Sequence, residues 1–136
     1  MVYTEIISGL WIGNVDMMYK QQFIKDNQIE VIINCTYQYQ FPEGMKQNIR
    51  LALPDNIHQC IDTLRANKDR IIQLIDTLVE SHNVLIVCYD GKNVSPFLVS
   101  MYLMNQACLT KEQVKQVIRS KNNEIPMDYD LNLLDL

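Results

Sequence analysis

Val84-Leu85-Ile86-Val87-Cys88-Tyr89-Asp90-Gly91-Lys92-Asn93-Val94-Ser95-Pro96 is the stretch on which the reading of this chain turns. Its opening residues, Val84 to Val87, form a short unbroken apolar run, the pattern of a strand buried on both faces. Cys88 ends that run. Gly91 supplies the backbone freedom for a tight loop, and Pro96 suits the first turn of a helix, where a missing N–H costs no helical bond. The next segment, Pro96 to Asn105, is almost wholly apolar and predicts a helix buried at the centre of the domain. Residues 89 to 95 contain no proline, so every backbone N–H of the loop is free to point inward. A ring of amides in front of a helix N-terminus is an anion cradle.

Working outward, the 136 residues and 48% hydrophobic content are enough for one core, and a single domain spanning 1–136 is expected. The net charge of -4 supplies no basic field for nucleic acid, which is therefore an unlikely partner. Cys35, Cys60, Cys88 and Cys108 are widely spaced and have only His58 and His82 to join them. That spacing offers no metal site, so no metal or other cofactor is expected, and the four are read as reduced thiols. The N-terminus lacks a signal-peptide pattern, and no apolar run approaches the roughly 18 residues of a membrane span. A cytoplasmic or nuclear protein, neither secreted nor membrane-bound, is the expectation.

Tyr3 to Ile7 and Leu10 to Ile12 read as short strands separated by Ser8-Gly9, with Gly13-Asn14 as a turn and Asp16 to Asn27 as a short helix. Ile29 to Cys35 is too continuously apolar for a half-solvated strand and predicts a second buried one. Phe41-Pro42-Glu43-Gly44 turns the chain into a strand at Ile49 to Leu53. From Ile57 the apolar positions Ile61, Leu64, Ile71, Ile75 and Leu78 recur in threes and fours, predicting one long helix ending near Ser81. Thr110 with Gln113 is a capping-box pattern opening a last amphipathic helix, which Pro126 stops, and Asp128 to Leu136 is read as a further helical turn or two. Alternating strands and helices give an α/β fold with a central, mainly parallel sheet flanked by helices.

The loop, together with Ile7-Ser8-Gly9-Leu10-Trp11-Ile12-Gly13-Asn14, Leu53-Pro54-Asp55, the apolar run Ser95 to Met104 and Ile125-Pro126, resembles the dual-specificity phosphatase branch of the protein tyrosine phosphatase superfamily. In that superfamily the loop reads His-Cys, five residues, Arg, then Ser or Thr. The resemblance implies a phosphate-binding loop made of Cys88, Tyr89, Asp90, Gly91, Lys92, Asn93, Val94 and Ser95. Cys88 takes the position of the thiolate nucleophile, with a pKa lowered by helix end and amides. Asp55 takes that of the general acid, and is equally readable as the cap of the helix at Ile57. Ser95 takes that of a hydroxyl directed at the sulfur, or of a helix cap.

Two positions depart from the pattern. The arginine position holds Val94, which offers neither charge nor a bidentate fork for phosphate oxygens. The histidine position holds Val87. Losing one preorganised donor costs about 10²–10³ in rate, and losing a charged fork at least that. Lys92 carries the right sign but is a flexible point charge. The leading expectation is a pseudophosphatase that binds a phosphoprotein or other regulatory protein partner without hydrolysing it. A slow cysteine-dependent protein or nucleic-acid 5′ phosphatase, and a scaffold with a relic loop, are the alternatives.

Overall fold

The computed structural model describes residues 2–128. Five strands form one sheet in the order β1-β2-β5-β3-β4: β1 (Tyr3–Ile7), β2 (Leu10–Asn14), β3 (Ile29–Asn34), β4 (Gln47–Arg50) and β5 (Asn83–Cys88). β1 runs antiparallel to β2, and the other neighbours are parallel. This is the mainly parallel α/β sheet that the alternation of elements predicted.

β5 lies in the middle, with Ile86 opposite Ile12 on one side and Ile33 on the other. Val84 to Cys88 are fully buried. Side chains of a strand alternate between faces, so Val84, Ile86 and Cys88 join the main core while Leu85 and Val87 enter a smaller cluster with Val15, Met17, Met18 and Ile32. The main core is covered by α2 (Ile57–Ala66), α3 (Lys68–Val79), α4 (Val94–Gln106) and α5 (Lys111–Lys121). The smaller cluster is covered by a 3₁₀ turn, Val15–Tyr19, and by α1 (Gln21–Asp26), whose Phe23 meets Trp11 edge-on with centroids 5.3 Å apart.

α4 is the buried central helix anticipated from its composition: Val94 through Leu103 are all buried. Ser100, the polar residue in its middle, donates to the Pro96 carbonyl at 2.8 Å and so costs no unsatisfied group. Thr110 and Gln113 close the capping box of α5 in both directions.

Several boundaries differ from the sequence reading, each for a local reason. The long helix from Ile57 is two helices, because the Asn67 side chain donates to the Thr63 carbonyl at 2.8 Å and competes there with its own backbone N–H at 3.1 Å. Gly13 and Asn14 belong to β2 rather than to a turn; their ladder partners are Val87 and Cys88. The helix expected over 16–27 is interrupted at Lys20, whose backbone is extended. Val15, Met17 and Met18 are all buried there, a spacing tighter than one face of an α-helix allows. β4 starts earlier than expected, at Gln47, although Leu51 and Leu53 still donate to the Asn34 and Cys35 carbonyls. The helical turns read over 128–136 lie almost wholly outside the described residues.

Candidate functional site

The loop from Cys88 to Ser95 joins the C-terminal end of β5 to the N-terminus of α4, the edge of a parallel sheet where ligands bind in α/β folds. Its curl depends on Gly91, at φ +71. A Cβ there would stand 2.5 Å from the Asn14 nitrogen and 2.7 Å from the Gly13 carbonyl carbon, so the loop is pressed onto β2 and only glycine fits.

Around the Cys88 sulfur the loop is ordered by hydrogen bonds. The Gly91 amide donates to Sγ at 3.2 Å, and the Ser95 hydroxyl stands 3.2 Å away. Ser95 is fully buried and lies inside the first turn of α4, whose N-terminal boundary residue is Asn93, so its hydroxyl serves the sulfur and not a helix cap. On its other side the Cys88 thiol faces Asp90 Oδ1 at 3.6 Å.

Asp90 changes the loop most from the sequence expectation. Its Oδ1 accepts from the Lys92 amide at 2.9 Å and the Asn93 amide at 3.2 Å, and its Oδ2 accepts from the Asn93 side chain. The amides expected to point into an empty cradle are therefore divided between the sulfur and a carboxylate of the same loop. This also bears on the thiol: burial pushes the Cys88 pKa up, the Ser95 hydroxyl and the Ser95 and Gly91 amides pull it down, and the Asp90 charge pushes it up again. The net direction is upward. The lowered pKa that the resemblance implied is corrected, because burial and a neighbouring anion outweigh the amides.

Val94 is the first residue of α4, 1% exposed and part of the main core with Cys88 and Phe97. Val87 is fully buried in the opposite cluster, among methionines and aliphatic side chains. Lys92 is half-buried, and its ammonium has no hydrogen-bond or ion-pair partner among the described residues.

Asp55 is exposed and lies with Asn56, Ile57, His58, Asn93 and Asp128 around a cleft of about 380 Å³, so it shares one opening with the loop. Burial first, and the Asp90 charge second, raise its pKa. The capping reading of Asp55 is corrected: the cap of α2 is its neighbour Asn56, whose Oδ1 accepts from the His58 amide at 2.9 Å and the Gln59 amide at 3.4 Å.

One part of the site went unread in the sequence. Tyr89 donates to Gln38 Oε1 at 2.7 Å, accepts from the Tyr37 amide at 3.2 Å, and meets the Tyr39 ring at a centroid distance of 6.1 Å. The segment 36–41 thereby forms an aromatic wall beside the loop. Arg50 fixes its shape, donating to the carbonyls of Thr36 at 2.6 Å, Tyr37 at 3.1 Å and Tyr39 at 2.7 Å while its guanidinium stacks over Phe41. Buried Asn34 supports it from below through Thr36 and the Tyr39 carbonyl. The only sequence signal was the alternation Tyr37-Gln38-Tyr39-Gln40, which by itself resembles an ordinary polar connection.

Cys35, Cys60 and Cys88 are buried and Cys108 is exposed, all unpaired. Among the described residues, no group of three or more His, Cys, Asp or Glu is placed to hold a metal, and no helix is long and apolar enough to cross a membrane.

No protein-family model and no curated protein matches the chain by sequence. Solved structures do match its fold. A variant of human DUSP28 superposes with a TM-score of 0.81 at 15% identity, covering 98% of this chain and 89% of that one. DUSP15 gives 0.78 at 21% identity, covering 90% and 77%. Human tyrosine phosphatase-like serine/threonine/tyrosine-interacting protein gives 0.78 at 17% identity, covering 97% and 92%. The chain has the dual-specificity phosphatase fold.

Proposed function

We propose that this chain is a pseudophosphatase, a phosphatase-fold binding module that engages a phosphoprotein or another regulatory protein partner without hydrolysing it. The observation that carries the reading is Val94, buried at the first position of α4, where the phosphatase motif places its arginine. Phosphoryl transfer gains most of its acceleration from positioning and from charges that meet the equatorial oxygens. Here the side chains that hydrogen-bond to the sulfur offer a hydroxyl from Ser95 and a carboxylate from Asp90. The first is neutral and the second has the sign of the substrate.

The nucleophile is disfavoured as well. A thiol with a raised pKa is mostly protonated near neutral pH, and the thiolate is the attacking species. Asp55, with its raised pKa and its place on the shared cleft, keeps the character of a proton donor, yet an acid without an activated nucleophile leaves the reaction unstarted. Binding makes no such demands. The aromatic wall of Tyr37, Tyr39 and Tyr89 is tied together by hydrogen bonds and a ring contact and stands partly exposed beside the loop, and aromatic residues are enriched at recognition surfaces. The name of one structural relative, a phosphatase-like interacting protein, describes a role of this kind.

The test is turnover of an aryl phosphate by purified protein beside Cys88→Ser. The expected result is equal, background-level rates. A robust rate that disappears in Cys88→Ser overturns the reading in favour of an enzyme.

A further inference from the structure

The Asp90 carboxylate occupies the part of the loop that an oxyanion needs. Its Oδ1 is 3.6 Å from the Cys88 sulfur, 2.9 Å from the Lys92 nitrogen and 3.2 Å from the Asn93 nitrogen. An oxygen of a phosphate seated in front of that sulfur would draw on the same amides. The second oxygen, Oδ2, is held by the Asn93 side chain, so the carboxylate is gripped at both ends. Asp90 is half-buried, and its backbone is fixed between Cys88, at the end of the central strand, and Gly91, wedged against β2.

We propose that Asp90 is a tethered anion that fills its own phosphate loop, and that an oxyanion from outside binds only when this carboxylate swings out of the cradle. The proposal rests on the reading of the loop as a binding site that does not hydrolyse, and adds how access to it is controlled. A carboxylate tethered two and three residues from the amides it binds has an effective concentration there that free phosphate must overcome in order to compete. It also repels an incoming anion by charge. Apparent affinity is reduced by the fraction of time the loop is open. No covalent step is involved: the exchange is one set of N–H···O bonds for another.

Two features fit this arrangement better than a passive turn. The Asn93 amide and side chain both serve Asp90, a clamp wider than an ordinary side-chain turn at one amide. In addition the cleft mouth already carries Asp55 and Asp128, which leaves Lys92 as the cation within the loop's own sequence and makes the loop a poor anion site while Asp90 is in place.

The test is titration of the whole chain with inorganic phosphate, monitoring the backbone amide resonances of Lys92 and Asn93 by NMR, in wild type and in Asp90→Ser. The expected result is at least tenfold tighter phosphate binding in Asp90→Ser, with both amides shifting together. If Asp90→Ser does not fold, Asp90→Asn, which keeps the side-chain shape and removes the charge, carries the same test with an expected gain of at least threefold. Equal affinity in wild type and variant, including no binding by either, overturns the proposal. These outcomes are independent of turnover: a Cys88-dependent rate in wild type sinks the pseudophosphatase reading, whereas an unchanged phosphate affinity sinks this one.

Discussion

Gly91 and Asn14 are in such close contact that a single added carbon at position 91 would lie 2.5 Å from the Asn14 backbone nitrogen. The loop is thus anchored on a strand far from it in sequence. Gly91→Ala meets backbone rather than a flexible side chain, and it must also hold φ at +71. The variant is expected to lose about 1–3 kcal/mol or more of stability in urea unfolding. It should also displace the amide that donates to the Cys88 sulfur. An unchanged unfolding midpoint would show that the loop is not pressed onto β2.

Restoring the missing charge alone should do little. In Val94→Arg the new guanidinium has the Asp90 carboxylate to pair with, so a rate near background on an aryl phosphate is expected. Val94→Arg with Asp90→Ser removes the competitor, and a gain of about 10²-fold or more over wild type is expected, abolished by adding Cys88→Ser. A single Val94→Arg as active as the double variant would mean that Asp90 does not engage an arginine at that position.

The thiols give a pH signature. Burial raises Cys88, and raises Cys60 from 9.0 to about 11. A group whose pKa is higher folded than unfolded binds its proton more tightly in the native state. Its stabilising contribution is full below the unfolded thiol value and is lost as pH rises through the folded one. Stability should therefore fall between about pH 9 and about 11, and Cys60→Ala should flatten part of that fall. The Cys88 13Cβ resonance should titrate above the ordinary thiol range, and Asp90→Asn should lower its midpoint because the Asp90 charge is one of the causes. A Cys88 midpoint below the ordinary range would contradict the geometry described.

Arg50→Ala should loosen the aromatic wall without unfolding the sheet. It removes three charge-assisted bonds to carbonyls and the stack on Phe41, with an expected cost of about 1–3 kcal/mol. Amide exchange over 36–40 should accelerate at least tenfold while exchange along β5 stays put. Equal acceleration in β5 would mean that the wall and the sheet open together.

The central architecture was legible because its signals are strong and local. Apolar runs at 29–35 and 84–88 have one economical structure, strands covered on both faces, and the unbroken apolar helix after Pro96 has one place to go. Cys88, Gly91 and Ser95 were legible for the same reason, since a strand, a tight loop and a helix start fix their neighbourhood. Side-chain competition was not. Asp90 is an ordinary acidic loop residue in a sequence, and only its distances to Lys92 and Asn93 show that it uses the amides. Asn67, which splits the long helix, and Asn56, which takes the cap from Asp55, are further cases where a short polar side chain chose among backbone partners. The wall at 36–41 depends on Arg50 and Tyr89, both remote in sequence, so periodicity could not reveal it.

The central position of β5 also governs when the loop can exist during folding. Cys88 is set by β2 on one side, and the preceding residue by β3 on the other, where the Cys35 amide donates to the Val87 carbonyl at 2.8 Å. Segments near residues 14, 34 and 88 must converge first, and such long-range closures are late and slow. A peptide spanning 84–96 would carry the motif and none of its shape. In the intact chain, exchange of the Gly91 amide should track global unfolding and not local breathing, so the site lasts as long as the sheet does.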